Sequence, residues 1–112
     1  MTKRELLFIE MFEEAVKKKW QSCPVSLEDV ASELLITRGQ LNRRVKTITG
    51  ITAQQYLMNM RMRCAKYMLT QTDMTVLDIA INCGFTDLSS FSRAFHREFN
   101  ISPTAYRRSV YA

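Results

Sequence analysis

Two stretches of this chain repeat each other at an offset of about 50 residues. Asp29-Val30-Ala31 returns as Asp78-Ile79-Ala80. Leu41, Arg43 and Val45 return as Phe91, Arg93 and Phe95. Gly50-Ile51-Thr52 with Tyr56 returns as Asn100-Ile101-Ser102 with Tyr106. The register slips by one residue between the two short segments of each copy. A chain of 112 residues has room for one compact domain or two very small lobes, and a duplication within it requires one local shape to be built twice.

The local signals make that shape helical. Residues 4–19 put Phe8, Phe12, Ala15 and Val16 on one face, with Glu13–Lys17 and Glu14–Lys18 as i,i+4 pairs. Pro24 is expected to break this helix. Ser26 then caps a short one, with Asp29 in the capping-box position and Leu27, Val30, Ala31 and Leu34 inward. Thr37 starts a third helix and Gly50 ends it. A long helix follows from Ala53 to Thr70, without Gly or Pro, a rod of roughly 27 Å. Thr75 starts a short helix through Asn82, Asp87 caps the next, and Ser102-Pro103 opens the last with proline at the first helical position. No stretch sustains strand alternation. The expected fold is all-α with seven helices: residues 1–51 as a first helix and a first helix-turn-helix, 52–71 as a linker helix, and 72–112 as a second helix-turn-helix with a C-terminal helix.

On a helical wheel Ala94, Phe95 and Phe99 fall within about 80° of Phe91. Ser89, Arg93, His96 and Arg97 centre on the opposite side. In the first copy Val45 and Ile48 cluster with Leu41, and Gly39, Arg43 and Lys46 lie opposite. The two outer faces correspond, 39 with 89, 43 with 93 and 46 with 96. Two unrelated solvent faces have little reason to share an outward arginine at the same turn.

Charge suggests what those faces meet. Lys plus Arg is 16 against 11 for Asp plus Glu, a net charge of +5. All seven acids of the first half lie between Glu5 and Glu33, while the 35 residues from Thr37 to Gln71 hold seven cations and no acid. So one-sided a window favours a surface that meets phosphate. A DNA major groove, about 12 Å wide, admits one helix. Gly39, Ser89 and Ser90 are small enough for close approach. Arg43 and Arg93 carry the planar fork that pairs with guanine O6 and N7, Asn42 suits adenine, and Leu88 suits a thymine methyl. Lys46, His96 and Arg97 suit phosphates. Glu98 fits poorly, because the wheel turns it toward the Phe91 side.

Other chemistries find little support. One histidine and scattered acids offer no nucleophile with a base, so no catalytic residue is expected. Cys23, Cys64 and Cys83 are odd in number and not in C-x-x-C spacing, which argues against a disulfide framework or a metal site and leaves them as buried small hydrophobes. No cofactor is expected. The seven methionines read as gap-filling core. No apolar run approaches 18 residues, so neither a membrane span nor a leader peptide fits, and a cytoplasmic setting is expected. A protein-interaction module with a basic face is the alternative, and the matched arginines argue against it.

The second copy, with Asp78-Ile79-Ala80, Gly84-Phe85, Ser90-Phe91, Arg93, Phe95, Phe99, Ser102-Pro103 and Tyr106-Arg107, resembles the signature of the AraC/XylS family of bacterial transcription regulators. Arg61-Met62, Ala65 and Leu69 resemble that family's connecting helix. The resemblance covers about Ser26 to Arg107. Two departures stand out: Asn100 replaces the family's usual Gly, and Gly39 occupies a position that often contacts bases. The resemblance implies two homeodomain-like helix-turn-helix subdomains on a bipartite double-stranded DNA site, with recognition helices at about 37–49 and 87–99 in successive major grooves. The expected base contacts are Arg38, Gly39, Gln40, Asn42, Arg43, Leu88, Ser89, Ser90, Ser92 and Arg93. The expected phosphate contacts are Thr37, Lys46, Arg61, His96 and Arg97. RNA polymerase is a further implied partner, and any dimerisation would use a domain outside this chain. The chain is either a stand-alone small member or the output piece of a larger regulator; the Leu41-Asn42-Arg43 and Ile48-Thr49-Gly50 runs are similar to output domains of hybrid two-component sensors.

Overall fold

The computed structural model describes residues 1–20 and 25–111. Among them seven helices form and no strand: α1 (Lys3–Lys18), α2 (Leu27–Glu33), α3 (Arg38–Thr49), α4 (Ala53–Gln71), α5 (Val76–Asn82), α6 (Leu88–Phe99) and α7 (Pro103–Tyr111). Cys23 and Pro24 lie outside the described residues; α1 ends at Lys18 with Lys19 as its C-cap. The chain divides into two compact units, Met1–Asn59 and Met60–Ala112.

In the first unit α1 starts from a reciprocal cap. The Thr2 hydroxyl accepts from Glu5 N at 3.1 Å and the Thr2 N–H donates to Glu5 Oε1 at 2.9 Å. Phe8, Ile9, Phe12, Ala15 and Val16 of α1, Val30 and Ala31 of α2, Leu41 and Val45 of α3, and Leu57 of α4 are all buried and make up this unit's core. The Tyr56 ring meets Phe12 edge-on at 5.4 Å, and its hydroxyl donates to Glu13 Oε1 at 2.9 Å. The expected i,i+4 ion pairs of α1 are replaced by others. Lys17 lies 3.5 Å from Glu14, and Lys18 reaches Glu33 of α2 at 2.7 Å, because a carboxylate on the neighbouring helix is within reach of the long side chain. At Ser26 only half of the box forms: its hydroxyl accepts from Asp29 N at 3.4 Å, and the short Asp29 side chain returns no bond.

In the second unit four rings form a chain. Phe85 meets Phe91 at 5.4 Å, Phe91 meets Phe95 at 5.9 Å, and Phe95 meets Phe99 at 4.7 Å, with Tyr106 of α7 5.7 Å from Phe95. Met62, Leu69, Ile79 and Cys83 complete this core. The last carbonyls of α4 have no intrahelical partner. Arg107 of α7 supplies a donor there, from Nε to Leu69 O at 3.0 Å, and reaches the loop beyond α4 from Nη1 to Met74 O at 2.7 Å and from Nη2 to Thr72 O at 3.2 Å.

The repeat holds at the level of single hydrogen bonds. After α2, Ile36 N donates to Ala31 O and Leu35 N to Ser32 O. After α5, Phe85 N donates to Ala80 O and Gly84 N to Ile81 O. Both are Schellman turns, which need a left-handed residue after the cap. Gly84 fills that place at φ +93° and Leu35 fills it at φ +61°. The ends of α3 and α6 also match, with Gly50 at φ +83° and Asn100 at φ +58°.

Two expectations about composition need correction. Met60 and Met62 are buried, but Met1, ahead of α1, and Met11, on α1, are exposed and fill no core gap. Cys83 is buried, whereas Cys64 is only half-buried on α4.

Candidate nucleic-acid interface

The first candidate surface is built on α3. Leu41 and Val45 anchor the helix inward, which turns Arg38, Gly39, Gln40, Asn42, Arg43, Lys46 and Thr47 to solvent. Arg38 lies 3.4 Å from Glu28 of α2, both side chains largely exposed. Thr37 and Gln40 form a full capping box, at 3.1 Å from Gln40 N to the Thr37 hydroxyl and 3.0 Å from Thr37 N to Gln40 Oε1. That leaves the Gln40 side chain its amide donors but an occupied oxygen. Arg43 lines an open groove with Gln40, Arg44 and Thr47, bounded by Glu5 of α1 and Ile36 of the turn.

The second surface is α6, packed through Phe91, Ala94 and Phe95. Ser89, Arg93, His96 and Arg97 are exposed, as is Leu88. The Asp87 cap accepts from Ser90 N at 2.7 Å and from the Ser90 hydroxyl at 3.0 Å. These bonds, with the nearby charge of Arg93, hold the Asp87 carboxyl below the ordinary aspartate range. Glu98 is exposed, not turned inward.

Several expected contacts sit elsewhere. Arg61 does not reach the surface. It is 7% exposed in the second unit, with its guanidinium carbon 5.7 Å from the centre of the Phe85 ring and its Nε 3.1 Å from where a side chain at Gly84 would begin. A guanidinium so placed packs the turn and does not present itself to phosphate. Asn42 is exposed, but its Oδ1 accepts from Ala53 N, the first residue of α4, at 3.0 Å. A two-pronged contact to adenine needs that oxygen free. The corresponding pair in the second copy is Ser92 and Pro103, and proline has no N–H to satisfy. Ser92 and Ser90 are both half-buried. Arg44, not singled out from sequence, lies over the Phe8 ring at 3.9 Å and ties α3 to α1. Its one sequence signal was the i,i+1 cation beside Arg43.

Among the described residues no cluster of His, Cys, Asp and Glu could hold a metal ion, and no helix is long and apolar enough to cross a membrane.

Residues 30–109 match the family described as a helix-turn-helix domain, most of the chain. The RhaS transcriptional activator of Shigella boydii is 40% identical over 84 residues, which cover 75% of this chain and 30% of RhaS. The chain belongs to the AraC family of helix-turn-helix domains. It is a domain of sequence-specific, DNA-binding transcription regulation. Among solved AraC-type neighbours, the C-terminal domain of the two-component response regulator yesN from Fusobacterium nucleatum superposes with a TM-score of 0.80 at 28% identity, covering 88% of this chain and 95% of that one. The DNA-binding domain of AdpA, a global transcriptional factor solved with a target DNA, gives 0.76 at 27% identity, covering 88% of this chain and 90% of that one. The chain spans about 30% of the length of the curated AraC-type relatives it matches.

Proposed function

We propose that α3 and α6 are both recognition helices, each reading one half of a bipartite double-stranded DNA site from a major groove. The observation that carries this reading is the matched pair of outward arginines, Arg43 and Arg93. Each stands five residues into a capped helix that is anchored by apolar residues at equivalent places. Arg43 and Arg93 read bases, with Gly39 and Ser89 allowing close approach and Leu88 meeting a thymine methyl. Lys46, His96, Arg97 and the start of α3, where Thr37 is exposed and the Arg38 N–H follows it, hold phosphates. Gln40, with its oxygen taken by the capping box, contributes through its amide donors. The role is binding without catalysis, in the cytoplasm. RNA polymerase is the partner through which binding becomes regulation, and any dimerisation would use a domain not present in this chain. RhaS is named as an activator, and the yesN domain is the C-terminal part of a response regulator; both support an output role.

Selection of a binding site from a randomised duplex pool, followed by gel-shift competition, tests the proposal. The selected duplex should compete far better than unrelated DNA of equal length. Equal competition by both would overturn sequence-specific reading by these helices and favour a basic surface that meets any polyanion.

A further inference from the structure

The first residue of α3 makes a contact that its counterpart in the second copy cannot make. Arg38 Nη1 donates to Glu28 Oε1 of α2 at 3.4 Å, with both side chains largely exposed. The backbones that carry them are fixed. Ser26 caps α2 just before Glu28, the Thr37–Gln40 box caps α3 just before Arg38, and Leu27 and Leu41 are buried. So exposed a pair adds little to stability. Through the repeat, position 28 corresponds to 77 and 38 to 88, which hold Leu77 and Leu88, both exposed. We propose that Glu28 is a positioning residue for base choice. It holds the Arg38 guanidinium so that Arg38 reads a guanine at the edge of the bases read by Arg43. The proposal rests on the reading of α3 as a recognition helix and adds to it a residue on α2.

The guanidinium has more donors than Glu28 uses. The bond occupies Nη1 and leaves Nε and Nη2, whose N–H bonds run parallel and match guanine O6 and N7. An arginine without a partner ranges over many rotamers and meets whichever phosphate is near. A carboxylate on a capped neighbouring helix narrows that range, and its charge repels phosphate. Gly39 gives independent support. It weakens a helix interior, yet a carbon added there would meet only the Thr37 hydroxyl, at 3.9 Å, so the fold does not require glycine. A bare backbone beside Arg38 lets a base edge come close. Leu77 and Leu88 offer no such fork and suit a thymine methyl, so the two half-sites should differ at the corresponding base pair.

Duplexes carrying each base pair in turn at every position of the selected site are titrated with the unsubstituted chain, Arg38→Ala, Glu28→Gln, the double variant and Arg43→Ala. Arg38→Ala is expected to erase a guanine preference at one position, a loss of about 5- to 150-fold in discrimination. Glu28→Gln should erode the preference at that same position while binding to unrelated duplex tightens, by about two- to five-fold. The slope of log affinity against log salt should steepen with it, as Arg38 turns to phosphate. Misfolding would weaken both kinds of binding, so the opposite signs separate positioning from structure. In the Arg38→Ala background, Glu28→Gln should change no base preference. A guanine preference that survives either single substitution would overturn the proposal. If Arg43→Ala still flattens its own bases, that failure falls on the Glu28–Arg38 pair alone; if it flattens none, reading by α3 falls with it.

Discussion

Cations on this chain do three different jobs, and their identity alone does not say which. Lys46 is exposed on α3, Arg44 lies on the Phe8 ring, and Arg61 is buried beside Gly84. Lys46→Ala is expected to weaken all DNA sequences alike and to reduce the slope of log affinity against log salt by about 1, the signature of one lost phosphate contact. Arg61→Met should leave that slope unchanged while lowering stability by about 1–3 kcal/mol, through lost packing under the turn. Salt titration of binding beside denaturant unfolding checks both; a reduced slope for Arg61→Met would return it to the interface. Asn42 makes a second contrast. Asn42→Ala removes the acceptor for Ala53 N and should cost about 1 kcal/mol of stability in the first unit, as loss of a cap does, with base preference kept. Loss of a preference for adenine with stability unchanged would restore the base-reading role.

At the scale of elements, the caps were legible because they are local. Ser26, Thr37, Thr75 and Asp87 each accept from the N–H three residues on, a relation that sequence spacing contains. The position of Arg61 was not legible. α4 buries Leu57, Met60, Arg61, Met62, Ala65 and Leu69, which point in several directions, so it has no clean polar face on which to place a cation. The Asn42 bond was hidden for a related reason: its partner is eleven residues away across a turn. Leu35 was overlooked because leucine is not a turn residue, although the repeat aligns it with Gly84. That alignment yields a paired expectation. Gly84→Ala should destabilise by about 1–2 kcal/mol or more, since its φ is +93° and the added carbon meets Arg61 Nε at 3.1 Å. Leu35→Gly should be neutral or stabilise by up to about 1 kcal/mol, because relief of left-handed strain outweighs the entropy of glycine and a side chain 92% exposed loses no packing. Thermal unfolding distinguishes the two; a stability loss above about 1 kcal/mol for Leu35→Gly would mean that the turn is not strained.

Across the whole molecule, both units are net basic: nine cations against seven acids in the first, seven against four in the second. Two of the seven, Arg61 and Arg107, are spent on the fold, which concentrates the remaining outward charge of the second unit on few side chains, Arg93 and Arg97 among them. On the proposed reading two separate helices meet DNA, not one continuous basic surface. The decisive measurement is the base-by-base preference of a selected duplex for the unsubstituted chain, Arg43→Ala and Arg93→Ala, taken from affinities for all single-base variants. Each substitution is expected to cost about 1–3 kcal/mol on the parent duplex and to flatten preference over its own group of contiguous bases, the two groups not overlapping. Flattening of the same bases by both substitutions, or of none by either, would contradict reading by two helices.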